Sequence, residues 1–170
     1  MVPNAQVWRE SLRQQFSFHF HETRRLMEMA LSLPTEVIDA RDPYSRGGIR
    51  STFEHILDSD GYWRGVLSKE QVEGSSGTES PSNRLEALIG LIEKERANWE
   101  QFLREIDDEW LRTEVQMVLT FGTYRLAPGQ AMQHLILHGQ VHHGEIAQLL
   151  TEAGLAPGDV DFFDYVAHKV

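Results

Sequence analysis

Apolar residues recur along the chain in four long stretches at helical spacing, separated by segments rich in proline, glycine and small polar residues. Val7, Leu12, Phe16, Phe20, Leu26, Met29 and Leu33 follow one another at intervals of three to six residues. That is close enough to one stripe of a helix to predict a first helix from about Ala5 to Leu33. Pro34 ends it, because the residue before a proline is kept out of the helical region. Thr35 to Gly48 reads as a loop, with turn signals at Asp42-Pro43 and Gly47-Gly48. A second helix is predicted from Ser51, where Ser51-Thr52-Phe53-Glu54 fits a capping box. Phe53, Ile56, Leu57, Trp63, Val66 and Leu67 supply its apolar side. Glu73 to Pro81 is a polar connector. A third helix opens after Pro81, with Ser82 as N-cap, and runs to about Ile106 on Leu85, Leu88, Ile89, Ile92, Trp99, Phe102 and Leu103. Between Asp107 and Pro128 the period changes. Val115 to Phe121 and Tyr124 to Leu126 flank Gly122-Thr123, which predicts a short hairpin or an extended loop turning at that pair. The fourth helix starts at Pro128, a favoured first helical position, and runs through Leu150 to Ala153. Gly154 can supply the left-handed residue beyond its end. The tail carries Pro157-Gly158 and the apolar residues Phe162, Phe163, Tyr165 and Val166, and is expected to pack back on the helices. Four helices with no strong strand signal predict an all-α fold, a four-helix bundle. The 170 residues suit a single domain, 1–170.

Composition narrows the chemistry. Sixteen Lys+Arg against 26 Asp+Glu give a net charge of −10, which repels a phosphate backbone and argues against nucleic acid as a partner. There is no cysteine. Disulfides, thiolate ligands and a cysteine nucleophile are thereby excluded, and His, Asp and Glu are left as candidate metal ligands. No apolar run reaches the ~18 residues of a membrane span. Met1 to Glu10 lacks the apolar stretch of a secretory signal, so a soluble cytoplasmic protein is expected.

Eight histidines occur in the chain, and four of them fall between His134 and His143. An even spread would place roughly half a histidine in such a window. His134, His138 and His142 stand four residues apart. On a helix each such step overshoots a full turn by ~40° and rises ~6 Å, so neighbouring imidazoles lie on one face and can converge on one ion. Neutral imidazole is a strong ligand for Zn, Ni, Co or Fe. His138 and His142 would supply two ligands, and a third must come from another helix. His55, among core residues one turn into the second helix, is the best placed. Three histidines from two helices leave a coordination position open, as in catalytic rather than structural sites. Asp58 and Glu145 each follow a candidate ligand by three residues and are candidate orienting groups or bases. His143 turns about 100° away from His142 and is expected to face elsewhere.

The remaining polar residues carry ordinary readings. His19, His21 and His168 are expected at the surface or satisfied, and the pairs Asp58/Asp60 and Asp107/Asp108 on solvated faces. Trp63 and Trp99 are read as core, and Met27 and Met29 as filler. The segment His138 to His142 lacks the glutamate of the HExxH zinc-protease motif. No GxSxG, P-loop or GxGxxG motif is present.

Two stretches carry a family resemblance. Gln133-His134-Leu-Ile-Leu-His138-Gly-Gln-Val-His142-His143-Gly144-Glu145-Ile146 resembles the H-x3-H-x3-H-R-G-Q motif of the DinB/YfiT-like superfamily. Ser51-Thr-Phe-Glu-His55 to Trp63 resembles its second-helix motif, a His followed eight residues later by Trp. The order of elements is similar over nearly the whole chain. The resemblance implies a bundle with up-down-down-up connectivity, frequent homodimers, and one divalent metal, often Zn or Ni, on His55, His138 and His142. His134 matches the outer histidine and would lie beyond the ligands. His143 stands where the family has Arg, and Glu145 where it has Gln, so substrate contacts made by those residues in relatives do not transfer. Some relatives are transferases or isomerases that use low-molecular-weight thiols. The expected function is therefore a metal-dependent enzyme with an open three-His site, such as a thiol S-transferase acting on a small-molecule substrate. A metal-dependent hydrolase and a non-catalytic metal-binding bundle for stress response or interaction are the alternatives.

Overall fold

The computed structural model describes residues 5–43, 46–68, 85–119 and 122–167. In chain order the elements are α1 (Ala5–Ala30), α2 (Thr35–Ile38), α3 (Ile49–Ser68), α4 (Leu85–Glu105), a single 3-10 turn (Trp110–Arg112), strands β1 (Val115–Leu119) and β2 (Gly122–Leu126), α5 (Pro128–Glu152) and α6 (Phe162–Val166). The fold is all-α apart from the antiparallel hairpin β1–β2. Among the described residues, no helix is long and apolar enough to cross a membrane.

The four long helices stand at the corners of a square. α1 and α3 lie on one diagonal, and each packs against both α4 and α5. Contacts between them give the directions. Along α1, Arg9, Phe16 and Arg24 meet Ile106, Trp99 and Glu93, so α4 runs antiparallel to it. Trp8, His19 and Thr23 meet Gly129, Gly139 and His143, so α5 runs parallel to α1. His55 and Trp63 of α3 meet His142 and His134, so α3 runs antiparallel to α5. The order is up-down-down-up, as the resemblance implied. α3 and α4 run the same way, and the chain has residues 69–84 between them.

The apolar stripes meet along the axis. Leu12, Phe16, Phe20, Leu26 and Met27 of α1 pack with Phe53 and Ile56 of α3, Leu88, Ile92 and Trp99 of α4, and Leu135, Ile146 and Leu150 of α5. Trp99 is fully buried, stacks on Phe16 with ring centroids 4.3 Å apart, and donates its indole N–H to the Asp60 carbonyl at 3.2 Å.

Several local expectations shift. The first helix closes at Ala30 rather than Leu33, because Ser32 and Leu33 turn back in tight bonds to Met29 and Ala30. The loop from Thr35 contains the one-turn helix α2. The second long helix begins at Ile49, ahead of the expected cap at Ser51. The Ser51 and Thr52 hydroxyls both donate to the Gly48 carbonyl, so they bond back into the first turn instead of capping its amides. Ser82 and the connector from Glu73 to Pro81 lie outside the described residues. The hairpin is present, but Gly122 and Thr123 pair with Leu119 and Val118 as strand residues instead of forming its turn. Val7, read as part of the first apolar stripe, is exposed. α5 ends as expected. Gly154 has φ 89°, and Gly154 and Leu155 donate back to the carbonyls of Thr151 and Leu150.

The tail packs back on α1 and α5. Phe162 meets the edge of Phe18, the Tyr165 hydroxyl pairs with Ser17 at 2.7 Å, and Gln140 donates to the Val160 carbonyl. Phe162 is half-buried and Tyr165 lies over Phe18 at the surface, while Phe163 and Val166 are exposed.

Truncation of Trp99 to Ala removes a stacked ring and the indole bond together. Urea unfolding of the variant will show a loss of about 3–5 kcal/mol, read as a lowered midpoint with little change in slope.

Candidate metal centre

His55 projects from the middle of α3 and His138 and His142 from the middle of α5, where the two helices cross antiparallel. His138 and His142 lie one turn apart on the α3-facing side of α5. The three rings come together: one ligand nitrogen from each lies within 4.8 Å of the others. His138 Nε2 is 3.0 Å from His55 Nε2 and 3.1 Å from His142 Nε2. An ion ~2.0–2.1 Å from each nitrogen, with angles of about 90–110°, places its ligands ~2.9–3.4 Å apart. The two spacings to His138 fall in that range.

The proton positions favour a cation as well. His142 Nδ1 lies 2.6 Å from Glu145 Oε2. A carboxylate only accepts, so the Nδ1 proton is committed there and Nε2 turns a lone pair inward. Burial, followed by the charge of Arg46 and the neighbouring His142, lowers the His55 pKa to about 4. Burial, then His142 and His55, lowers that of His138 to about 4 as well. Near neutral pH both rings are therefore uncharged ligands. Were all three inward nitrogens deprotonated, their lone pairs would repel one another, and a divalent cation would resolve that repulsion. The residues present fit such an ion. No fourth His, Asp or Glu joins the group among the described residues.

Of the candidate bases, Glu145 holds a ligand in place. Asp58 is exposed on α3 and makes no hydrogen bond to His55. His134 is exposed, its ring 5.3 Å from Trp63 and 5.9 Å from His138, outside the three-His group. Trp63 is half-buried and packs against the core, while Trp99 is fully buried in it.

A second histidine cluster lies on the other side of α5. His143 turns toward α1, as its angular offset predicted, and pairs through Nε2 with the Thr23 hydroxyl at 2.7 Å. Thr23 gives its own proton to the His19 carbonyl, so His143 Nε2 is the donor. Burial, then the neighbouring His19, pushes the His143 pKa well below its ordinary value. His19 is 2% exposed and donates from Nε2 to both Asp60 oxygens at 3.0 and 3.1 Å. Asp60, expected on a solvated face with Asp58, is 1% exposed. The correction has a local cause. Position 60 of α3 faces α1, and His19 offers the donor that a buried carboxylate requires. His21 is exposed as expected, and His168 lies outside the described residues.

Sequence reasoning missed the His19–Asp60 pair. The one signal for it was Gly139, between His138 and His142. A Cβ there would stand 2.3 Å from His19 Nδ1, so the glycine makes room for that ring.

A family model described as DinB family matches residues 7–169 of the chain. No match was found among curated proteins.

Two outcomes follow from this geometry. Glu145→Gln retains an acceptor but removes its charge, and competition with a chromogenic chelator will show metal affinity reduced about 10–100-fold. In the metal-free protein, unfolded histidines take up protons below about pH 6.5, whereas His55 and His138 stay neutral until about pH 4. Between those limits the unfolded state binds more protons, so stability rises with pH. Thermal melts of the metal-free protein will therefore fall as pH drops from about 6.5 toward 4. The slope will be shallower in the variant His55→Gln/His138→Gln.

Proposed function

The chain belongs to the DinB family, and on that footing we propose that it is a metal-dependent enzyme with an open three-His centre that transfers a low-molecular-weight thiol to a small electrophile. The observation that carries this reading is the meeting of the His55, His138 and His142 nitrogens, with no fourth protein ligand among the described residues. A divalent ion held there, Zn or Ni by the ligand chemistry, would supply Lewis acidity that makes a thiol or water more acidic.

The protein's own part is positional. Glu145 fixes the tautomer and orientation of His142. Phe53, Ile56, Leu135 and Ile146 are fully buried core neighbours on the same two helices and limit rotation of the ligand-bearing turns. The chain lacks cysteine, so the sulfur nucleophile must arrive with a cofactor. In the transfer a carbon–sulfur bond forms, the electrophile's leaving group departs with its electron pair, and the thiol proton passes to solvent.

Hydrolysis is the second reading, and one observation favours it. Glu145 uses only Oε2 toward His142, and its side chain is 32% exposed, which leaves a carboxylate oxygen beside the centre.

The test pairs the metal-loaded protein with a panel of low-molecular-weight thiols and a chromogenic aromatic electrophile. Turnover above the metal-free protein, abolished in His138→Ala and His142→Ala, is expected. Metal retention without turnover on either thiols or esters would point to the non-catalytic bundle.

A further inference from the structure

The histidine-bearing face of α3 continues toward its N-terminus into a cationic cavity. Ser51 precedes His55 by one helical turn, so the two residues share a face. Ser51 also lines a cavity of about 630 Å³ with Arg41, Asp42, Pro43, Arg46 and Gly47. Two guanidinium groups thus meet one carboxylate on that wall, in a chain whose net charge is −10. The neighbouring Arg50 is neutralised by Asp39. Arg41 and Arg46 are exposed and make no ion pair among the described residues. The positive charge of Arg46 also reaches His55 and His138.

Neither arginine has an ion-pair partner among the described residues to explain its place here. A guanidinium is matched to a planar carboxylate, which it can hold through two parallel hydrogen bonds. From the cavity, its two arginines without an ion-pair partner among the described residues and its continuity with the His55 face, we infer that Arg41 and Arg46 bind the carboxylate of a small anionic thiol or substrate whose reacting end lies at the three-His centre. This rests on the metal-centre reading above and adds to it the chemical class of the ligand. It is consistent with the charge of the whole molecule. A net −10 disfavours a polyanion, whereas two local cations suffice for one carboxylate.

The experiment uses the full chain loaded with cobalt(II), whose visible absorption reports ligand exchange at the ion. It is titrated with 3-mercaptopropionate and with 3-mercapto-1-propanol, which differ in the carboxylate. The acid is expected to bind about tenfold more tightly at low salt, the size of one charge-assisted contact, and the preference will shrink as ionic strength rises. The variant Arg41→Gln/Arg46→Gln will bind both thiols alike while retaining the cobalt spectrum. The distant exposed variant Arg112→Gln will keep the preference. Equal affinity for the two thiols in the parent protein overturns the inference. So does a preference that survives in the double variant, since the carboxylate would then be acting on the ion itself. Failure of the parent protein to bind cobalt overturns the metal-centre reading first and removes this inference with it, an outcome told apart by the missing spectrum.

Discussion

At Gly139 the absence of a side chain lets α1 approach the very turn of α5 that carries His138 and His142. The His19 ring fills that notch and reaches across to Asp60 on α3. One buried contact thus ties three of the four long helices at the height of the histidine centre. A charged carboxylate in a core is costly unless its oxygens are satisfied. The cost is met here by an imidazole donor, and Trp99 adds a bond to the backbone of the same residue. The convergence of three ligand rings depends on α3 and α5 holding a fixed spacing, and the His19–Asp60 pair is the polar lock at that level.

The two faces of α5 use histidine in different ways. Toward α3, His142 gives its Nδ1 proton outward to Glu145, and its remaining lone pair joins those of His55 and His138. Toward α1, His19 and His143 commit their Nε2 protons to Asp60 and Thr23. One residue type makes a cation-seeking cluster on one side of a helix and a self-contained network on the other. The difference lies in which neighbour accepts the proton.

Much of this architecture was legible in the sequence. Pro128 and Gly154 marked both ends of α5 closely, Pro34 marked the end of α1 to within a turn, and the four-residue spacing of His138 and His142 pointed to the histidine cluster. The third histidine of the cluster, His55, was picked out because it stood among core residues of another helix, and its ring does meet the other two. Other features depended on tertiary partners that no local pattern reports. Ser51 resembled a cap, but the chain entered α3 two residues earlier and its hydroxyl turned to Gly48. Gly122 resembled a turn residue, but cross-strand pairing placed it opposite Leu119. Asp60 was indistinguishable from Asp58 in sequence, although two positions along a helix separate a core-facing carboxylate from an exposed one. Arg41 and Arg46 lie in a loop whose approach to the His55 face has no periodic signal at all.

The C-terminal segment has a consequence beyond tidy packing. Val160, Asp161 and Phe162 form one wall of a groove of about 530 Å³ whose floor includes His19 and His143. They share that lining with Phe18, Ile136 and Gln140, beside two imidazoles that are only 2% and 1% exposed. Trimming the chain after Leu155 would take Phe162 from Phe18 and the Val160 carbonyl from Gln140, and would widen that groove toward water.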